Sequence, residues 1–330
     1  MPLFAEYGIP ATVGTLVNCA DCAALIDRVR PRAIVCGTTR YHAPERCLTM
    51  AARTRSVPTT AVLDEWFGYR MRFFDDRGGE DFLTDLVCCP DELARQEALE
   101  EGLPPDRLVV TGSPSLSALA DRVKEFARDP PPVPVCWAES RGPGRVLFLS
   151  ENHVVDYGTA RDRPGGLGPW LGYTEQDVRA ILARLLAAAG TRYRVVEKLH
   201  PGADHVPALP APEWHVAFRE PLWPYLWHAD IVIGMRSMAL LEAALMGHRP
   251  LSFQPNLQAA DQCTAVRLAL ADRARTEEEV GSWLLSPPAR GAVRRPAFAD
   301  GGSAAKVLDA ALRRSPASRT PRESVDLPRP

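Results

Sequence analysis

Lysine is nearly missing from this 330-residue sequence: Lys124, Lys198 and Lys306 stand against a total of 39 basic side chains, so the rest are arginines. These are offset by 41 acidic side chains, giving a formal net charge of -2. Without a basic excess or a basic block, the chain lacks the electrostatic footprint that duplex nucleic acid or an anionic membrane surface demands. Nucleic acid is therefore not an expected partner. Long apolar runs are missing too, so no transmembrane segment is expected. The opening residues, MPLFAEYGIP, show no basic cluster followed by an apolar stretch and do not read as a secretory signal. Cysteine is scarce: eight in a chain this long are too few for a disulfide scaffold, and the expectation is reduced thiols in a cytoplasm. Cys19 and Cys22 form a CxxC, but the adjacent Cys88 and Cys89 cannot supply the second pair of a zinc site. Packing on a helix is expected for Cys19 and Cys22, with no metal and no cofactor. What remains is ordinary: 46% hydrophobic and 24% charged residues, in a length that suits two domains.

Short apolar runs alternate with amphipathic segments. Strands are predicted over 32–37 (RAIVCG), 58–64, 85–89 and 107–112, and helices over 44–55, 91–101 and 114–128. Such alternation implies a parallel sheet covered on both faces. Residues 129–145 (DPPPVPVCWAESRGPGR) interrupt it with proline and glycine. The pattern restarts with strands over 146–150, 193–199, 214–218, 230–234 and 250–254, and helices over 174–189, 221–228 and 237–246. The resulting division is an N-terminal Rossmann-like domain over 1–130, a linker over 131–145, a C-terminal Rossmann-like domain over 146–286, and a terminal helix near 303–313 with a disordered tail within 287–330. A helix over 18–30 precedes any convincing strand, so the usual opening strand and glycine-rich turn of the first domain are expected to be absent.

Parallel α/β sheets bind ligands at the carboxyl ends of their strands. In the first half those ends carry Thr39 and Arg40, then Asp64, Glu65 and Trp66, then Gly112 and Ser113. In the second they carry Ser150, Glu151 and Asn152, then Lys198 and His200, then Gly234, Arg236, Ser237 and Met238, then Gln254. Residues 228–256 (HADIVIGMRSMALLEAALMGHRPLSFQPN) are the most informative. A strand ending at Gly234 leads into a helix starting near Ser237, whose exposed amides suit a phosphate. Arg236 can add charge-assisted donors. Glu242, early in the helix, can accept the hydroxyls of a ribose on the same phosphates, or can be a solvated glutamate of an amphipathic helix.

Residues 228–256, with 107–119 (RLVVTGSPSLSAL) and 193–204 (YRVVEKLHPGAD), resemble the GT-B superfamily, in the branch of UDP-N-acetylglucosamine 2-epimerases and bacterial surface-polysaccharide glycosyltransferases. The resemblance implies two Rossmann-like domains facing a cleft and a nucleotide-sugar substrate. It implies Ser237 and Met238 at the diphosphate, Glu242 at the ribose, Ser150, Glu151 and Asn152 facing the diphosphate, and His200 lining the same pocket with Lys198 beside it. His200 can equally be a turn histidine held by Pro201. The chain departs from the epimerase pattern, which has a glycine pair and a second glutamate where this sequence reads Ser237, Met238 and a lone Glu242.

That departure favours transfer over epimerisation. The expected function is a cytoplasmic glycosyltransferase moving a sugar from a nucleotide-activated donor to a small-molecule or glycan acceptor. The alternatives are a UDP-sugar 2-epimerase or hydrolase, and a non-catalytic nucleotide-binding or partner-binding module. On the acceptor side, residues 61–74 (AVLDEWFGYRMRFF) offer Asp64 or Glu65 as general base, ring faces at Trp66 and Tyr69, and Arg70 and Arg72 for an acceptor phosphate. The same aromatics also suit the packed start of a long connection. Thr39, Arg40, Gly112 and Ser113 complete the acceptor-side set.

Overall fold

The computed structural model describes residues 18–38, 44–74, 82–138, 144–166, 168–189, 192–210, 214–291 and 295–313. The chain divides into two compact units, one formed by 1–113 with 302–330 and the other by 114–301.

The first unit holds a parallel sheet of β1 (Ile34–Cys36), β2 (Thr59–Val62), β3 (Leu86–Cys89) and β4 (Leu108–Val110), in the order β1-β2-β3-β4. The pairings run Val35 to Thr60, Ala61 to Val87 and Cys88 to Val109. Among the described residues β1 is an edge strand, preceded by the helix Cys19–Val29. Asn18 caps that helix in a capping box with Asp21, which satisfies amides that would otherwise lack partners. The helix Ser303–Arg313 returns to this unit, where Val307 packs with Leu86 and Cys88. Val307 and Ala311, four positions apart on one face of that helix, are both buried.

The second unit holds β5 (Gly144–Leu149), β6 (Tyr193–Lys198), β7 (Trp214–Ala217), β8 (Ile231–Gly234), β9 (Leu251–Phe253) and β10 (Asp272–Ala274), all parallel, in the order β10-β9-β8-β5-β6-β7. The core gathers Val146, Phe148, Val195, Ile231, Ile233 and Phe253 with Val178 and Leu182 of the helix Glu175–Ala188. Thr174 caps that helix, as its position predicts. Because β5 runs to β6 and β7 on one side and the chain returns through β8 on the other, the strand order reverses between β5 and β8. Crevices at such a reversal are where open α/β sheets bind ligands.

The units are bounded differently from the sequence expectation. The helix Pro114–Arg128 groups with the second unit, where Ser117 Oγ donates to Asp300 O (2.6 Å) and Phe126 meets Trp223 and Trp227 edge-on. The supposed linker contains a helix, Val135–Ala138, whose Trp137 is fully buried against Tyr225; residues 139–143 lie outside the described residues. The terminal helix belongs to the first unit, while residues 292–294 and 314–330 fall outside the description.

The reduced-thiol expectation is also corrected. Cys19 is bonded to Cys47 of the helix Pro44–Thr54, with the two Cα atoms 4.7 Å apart. The cause is packing: Ile26, Ala51 and Ala52 draw the two helices side by side, and the sulfurs meet at one end. Cys22 is buried, as a packing role predicts, with its thiol 3.7 Å from Pro44 O.

Candidate functional site

At the carboxyl edge of the first sheet, the expected acceptor-side residues form a tied cluster. Arg72, on the short helix Tyr69–Phe73, is buried, and its Nη1 donates to Thr38 Oγ1 (2.7 Å), Thr38 O (3.0 Å) and Asp64 Oδ1 (2.9 Å). Its Nη2 donates to Glu65 Oε2 at 2.6 Å. Arg72 thus fastens the ends of β1 and β2 together and is not available to an acceptor phosphate. Asp64 keeps 63% of its side chain exposed while Glu65 keeps 31%, so Asp64 is the more accessible of the two carboxylates.

Trp66 corrects the ring-platform expectation. Its side chain is fully buried, with Nε1 donating to Asp91 Oδ2 (2.8 Å) while Asp91 Oδ1 caps the helix Glu92–Glu100. Tyr69 is equally buried, its hydroxyl donating to Glu97 Oε2 at 2.9 Å. Trp66, Tyr69, Phe73 and Phe74 are core, the second of the two roles their composition allowed. Arg70 is exposed and lies over the Phe74 ring. Gly112 and Ser113 are buried at the end of β4, with Gly112 at φ 84, a conformation that favours glycine. Thr39 and Arg40 lie outside the described residues.

In the second unit the structure brings most of the expected residues to one edge. Gly234 ends β8, and a Cβ there would come within 3.1 Å of Leu240 and 3.3 Å of Leu149, so glycine lets the helix Met238–Leu245 settle close to the sheet. Ser237 is the N-cap, its hydroxyl accepting from the Ala239 amide at 3.1 Å. The amides just before the helix are already engaged. Arg236 N–H and Ser237 N–H both donate to Glu151 Oε1, at 2.7 and 2.8 Å. Glu151 therefore points into the turn that the sequence assigns to a diphosphate, from the end of β5 across the strand-order reversal. This corrects the expectation that Glu151 faces a bound diphosphate: the carboxylate occupies the two amides itself.

The other Glu151 oxygen lies 3.0 Å from His153 Nε2. Burial pushes the Glu151 carboxyl up, but the hydrogen bond and charge of His153 and the Arg236 amide outweigh it, and the net direction is down. His153 is 1% exposed, held edge-on by Tyr157 and beside Tyr173. The Arg236 guanidinium lies over the Tyr157 ring and donates to Gln262 Oε1 at 2.6 Å. Tyr173 donates to Gln254 Oε1 (3.2 Å), and Gln254 Nε2 donates to Ser252 Oγ and Asp261 Oδ1. His153, Tyr157, Tyr173, Asp261 and Gln262 were not anticipated. The one available signal was the histidine directly after Glu151 and Asn152.

Asn152 and His200 do come together. Both flank Gly202, whose added Cβ would stand 3.2 Å from Asn152 Nδ2 and from His200 Nδ1. His200 is exposed and its Nδ1 accepts from Gly202 N–H at 3.1 Å, the turn role; in a neutral ring the proton then sits on Nε2, which can serve as a donor. Ser150 is buried at the end of β5. Lys198 stays beside the ends of β6 and β7, donating to Phe218 O (3.1 Å) and Leu199 O (3.4 Å), and burial lowers its pKa despite Glu220. Its charge is spent on main-chain carbonyls. Glu242 is half-buried and accepts from Trp223 Nε1 at 2.8 Å; burial raises its pKa, opposed by that indole bond. Met238 is the first residue of its helix and is half-buried. Among the described residues no group of three or more His, Cys, Asp or Glu converges in a way that could hold a metal ion, and no helix is long and apolar enough to cross a membrane.

No family model matches the sequence, and no curated protein sequence matches it. Solved structures do match in fold. The UDP-GlcNAc 2-epimerase of Neisseria meningitidis, bound to UDP-GlcNAc, is 12% identical with a TM-score of 0.60, over 93% of this chain and 87% of that one. The Methanocaldococcus jannaschii UDP-GlcNAc 2-epimerase, in complex with UDP-GlcNAc and UDP, is 12% identical with a TM-score of 0.59, over 93% and 86%. The S. aureus protein MnaA, solved with UDP, is 12% identical with a TM-score of 0.64, over 93% and 84%. The chain therefore shares the fold of these solved structures, with two parallel-sheet α/β units.

Proposed function

We propose that the chain is an enzyme acting on a nucleotide-activated sugar at the carboxyl edge of its second sheet, and that it transfers the sugar to a hydroxyl-bearing acceptor. The observation that carries this reading is Glu242: a half-buried carboxylate on the helix after β8, aimed by the Trp223 indole, beside the strand-order reversal where such sheets take ligands. In this reading Glu242 accepts the ribose hydroxyls. The Met238 end of the helix, Arg236 and His200 Nε2–H stabilise the charge that builds on the departing diphosphate. Transfer also needs a base for the acceptor hydroxyl, a role given to Asp64, the more exposed of the two carboxylates that Arg72 holds.

Epimerisation or hydrolysis of a UDP-sugar is the reading nearest to this one, favoured by the activity named for the similar structures, which are those of 2-epimerases. Binding without catalysis is favoured by Glu151, which fills two amides that a diphosphate would use. A thermal-shift panel of UDP, GDP, CDP, dTDP and CMP tests the shared premise, since a ligand at about a hundred times its Kd adds about 2.7 kcal/mol to the native state. A flat panel overturns it. Release of free nucleoside diphosphate from the sugar nucleotide, dependent on an acceptor, is the expected result for transfer; epimerisation alone leaves the diphosphate ester intact.

A further inference from the structure

We propose that Glu151 is an internal competitor for phosphate at the turn before the helix Met238–Leu245, and so determines how tightly a phosphorylated ligand is held there. The inference deepens the nucleotide reading and rests on it only for the identity of the ligand.

The amides of Arg236 and Ser237 point at one acceptor, Glu151 Oε1, at 2.7 and 2.8 Å. Two converging amides at a helix entrance are the donors a phosphate oxygen would use, and each N–H donates fully to one strong acceptor at a time. A phosphate brought to the same amides would also meet a like charge in a partly buried setting, where repulsion is weakly screened.

The carboxylate is also held from its other oxygen. Its Oε2 lies 3.0 Å from His153 Nε2, and the His153 ring, 1% exposed, is clamped between Tyr157 and Tyr173. His153 Nδ1 is buried without a hydrogen-bond partner. Burying an unsatisfied ring nitrogen costs free energy, so this histidine gives up one hydrogen bond while its other nitrogen steadies Glu151. Arg236, whose amide is one of the two donors, keeps its guanidinium buried over Tyr157 and bonded to Gln262. A positive charge beside the turn would still assist an anion once the carboxylate is removed. For a phosphate to enter in the native chain, Glu151 has to swing off both amides.

Inorganic pyrophosphate, which carries no nucleoside, is the probe. Calorimetric titration of the full chain is compared with Glu151→Ala and Glu151→Gln, each checked for native circular dichroism. Pyrophosphate is expected to bind Glu151→Ala about tenfold or more tightly than the native chain, the equivalent of one charge-assisted hydrogen bond regained. Glu151→Gln keeps a carbonyl on the amides without the charge, and a smaller gain is expected. Equal affinity for the native chain and a folded variant, or no binding to either, overturns the proposal. Should Glu151→Ala fail to fold, Glu151→Gln decides alone: a gain supports the competitor role and no gain overturns it. Titration with UDP and uridine separates the nucleotide reading: pyrophosphate gaining while neither of these binds sustains the role of Glu151 and sinks the nucleotide assignment.

Discussion

The bond between Cys19 and Cys47 gives the sharpest quantitative test of the first unit. It closes a loop spanning 28 positions. On the chain-entropy account, such a cross-link removes about 12 cal/mol/K from the unfolded ensemble, or about 3.6 kcal/mol at 25 °C. The contacts it reinforces are thin. The two helices meet through Ile26, Ala51 and Ala52, with Ala23, Ile34, Leu48 and Val57 half-buried around them. The Arg55–Asp27 pair at the surface has both side chains solvent-accessible and adds little. Cys47→Ser should therefore loosen the helix Cys19–Val29 without unfolding the second unit. Amide hydrogen exchange reads this locally, which a single global melting curve of a two-unit chain does not. Exchange across that helix is expected to quicken by about two to three orders of magnitude. A thiol titration of the unfolded, unreduced protein should count six free cysteines of the eight in the sequence. Eight titrating thiols, or unchanged exchange in Cys47→Ser, would refute the reasoning.

Three further outcomes are expected. Trp66→Ala should destabilise the first unit by about 3 to 5 kcal/mol, because it empties a fully buried site and removes the indole donor from Asp91 Oδ2; loss of activity at unchanged denaturant midpoint would instead restore Trp66 to the acceptor side. Burial first, then the charge of Arg290, lowers the His248 pKa from 6.5 to about 4, while its bond to Leu226 O opposes the shift. The native ring is therefore neutral where the unfolded one gains a proton, so this stability is complete above pH 6.5 and drains away as pH falls toward 4, about 3 kcal/mol in all. Denaturant midpoints of the native chain and His248→Gln, measured across that interval, should converge as pH falls; parallel curves would discard the shift. Glu242→Gln should weaken UDP binding by about tenfold while leaving the melting temperature within a few degrees, and unchanged affinity removes the ribose role.

The alternation of short apolar strands with amphipathic helices was enough to read nine of the ten strands, because buried parallel strands write themselves as continuous apolar runs. The helices at 114–128 and 303–313 and the Thr174 cap follow from periodicity and capping residues alone. β10 escaped notice because Asp272 and Arg273 give a three-residue edge strand no apolar run to show. The compact units divide before the helix Pro114–Arg128 rather than after it, and the proline-rich stretch that read as a linker holds the buried Trp137. The pairing of Cys19 with Cys47 depends on two helices packing side by side, which no local spacing records. The engagement of Glu151 with Arg236 and Ser237 was illegible for a like reason: residues 85 and 86 positions apart meet only because β5 and β8 are neighbours in the sheet. Trp66 was ambiguous from the start, since a cluster of aromatics reads the same as core or as platform until its burial is known.

The helix Ser303–Arg313 has a bearing on how the molecule is made. It supplies Val307 to the cluster of Leu86 and Cys88, on strands synthesised some two hundred residues before it. The segment between them forms a body of its own. Translation at about 5 to 20 residues per second would leave the earlier sheet waiting for ten seconds or more with this patch of apolar surface uncovered. Such delayed closure makes the emerging polypeptide a natural client for holdase chaperones, and it makes the helix Ser303–Arg313 a place where a nonsense codon would do disproportionate harm.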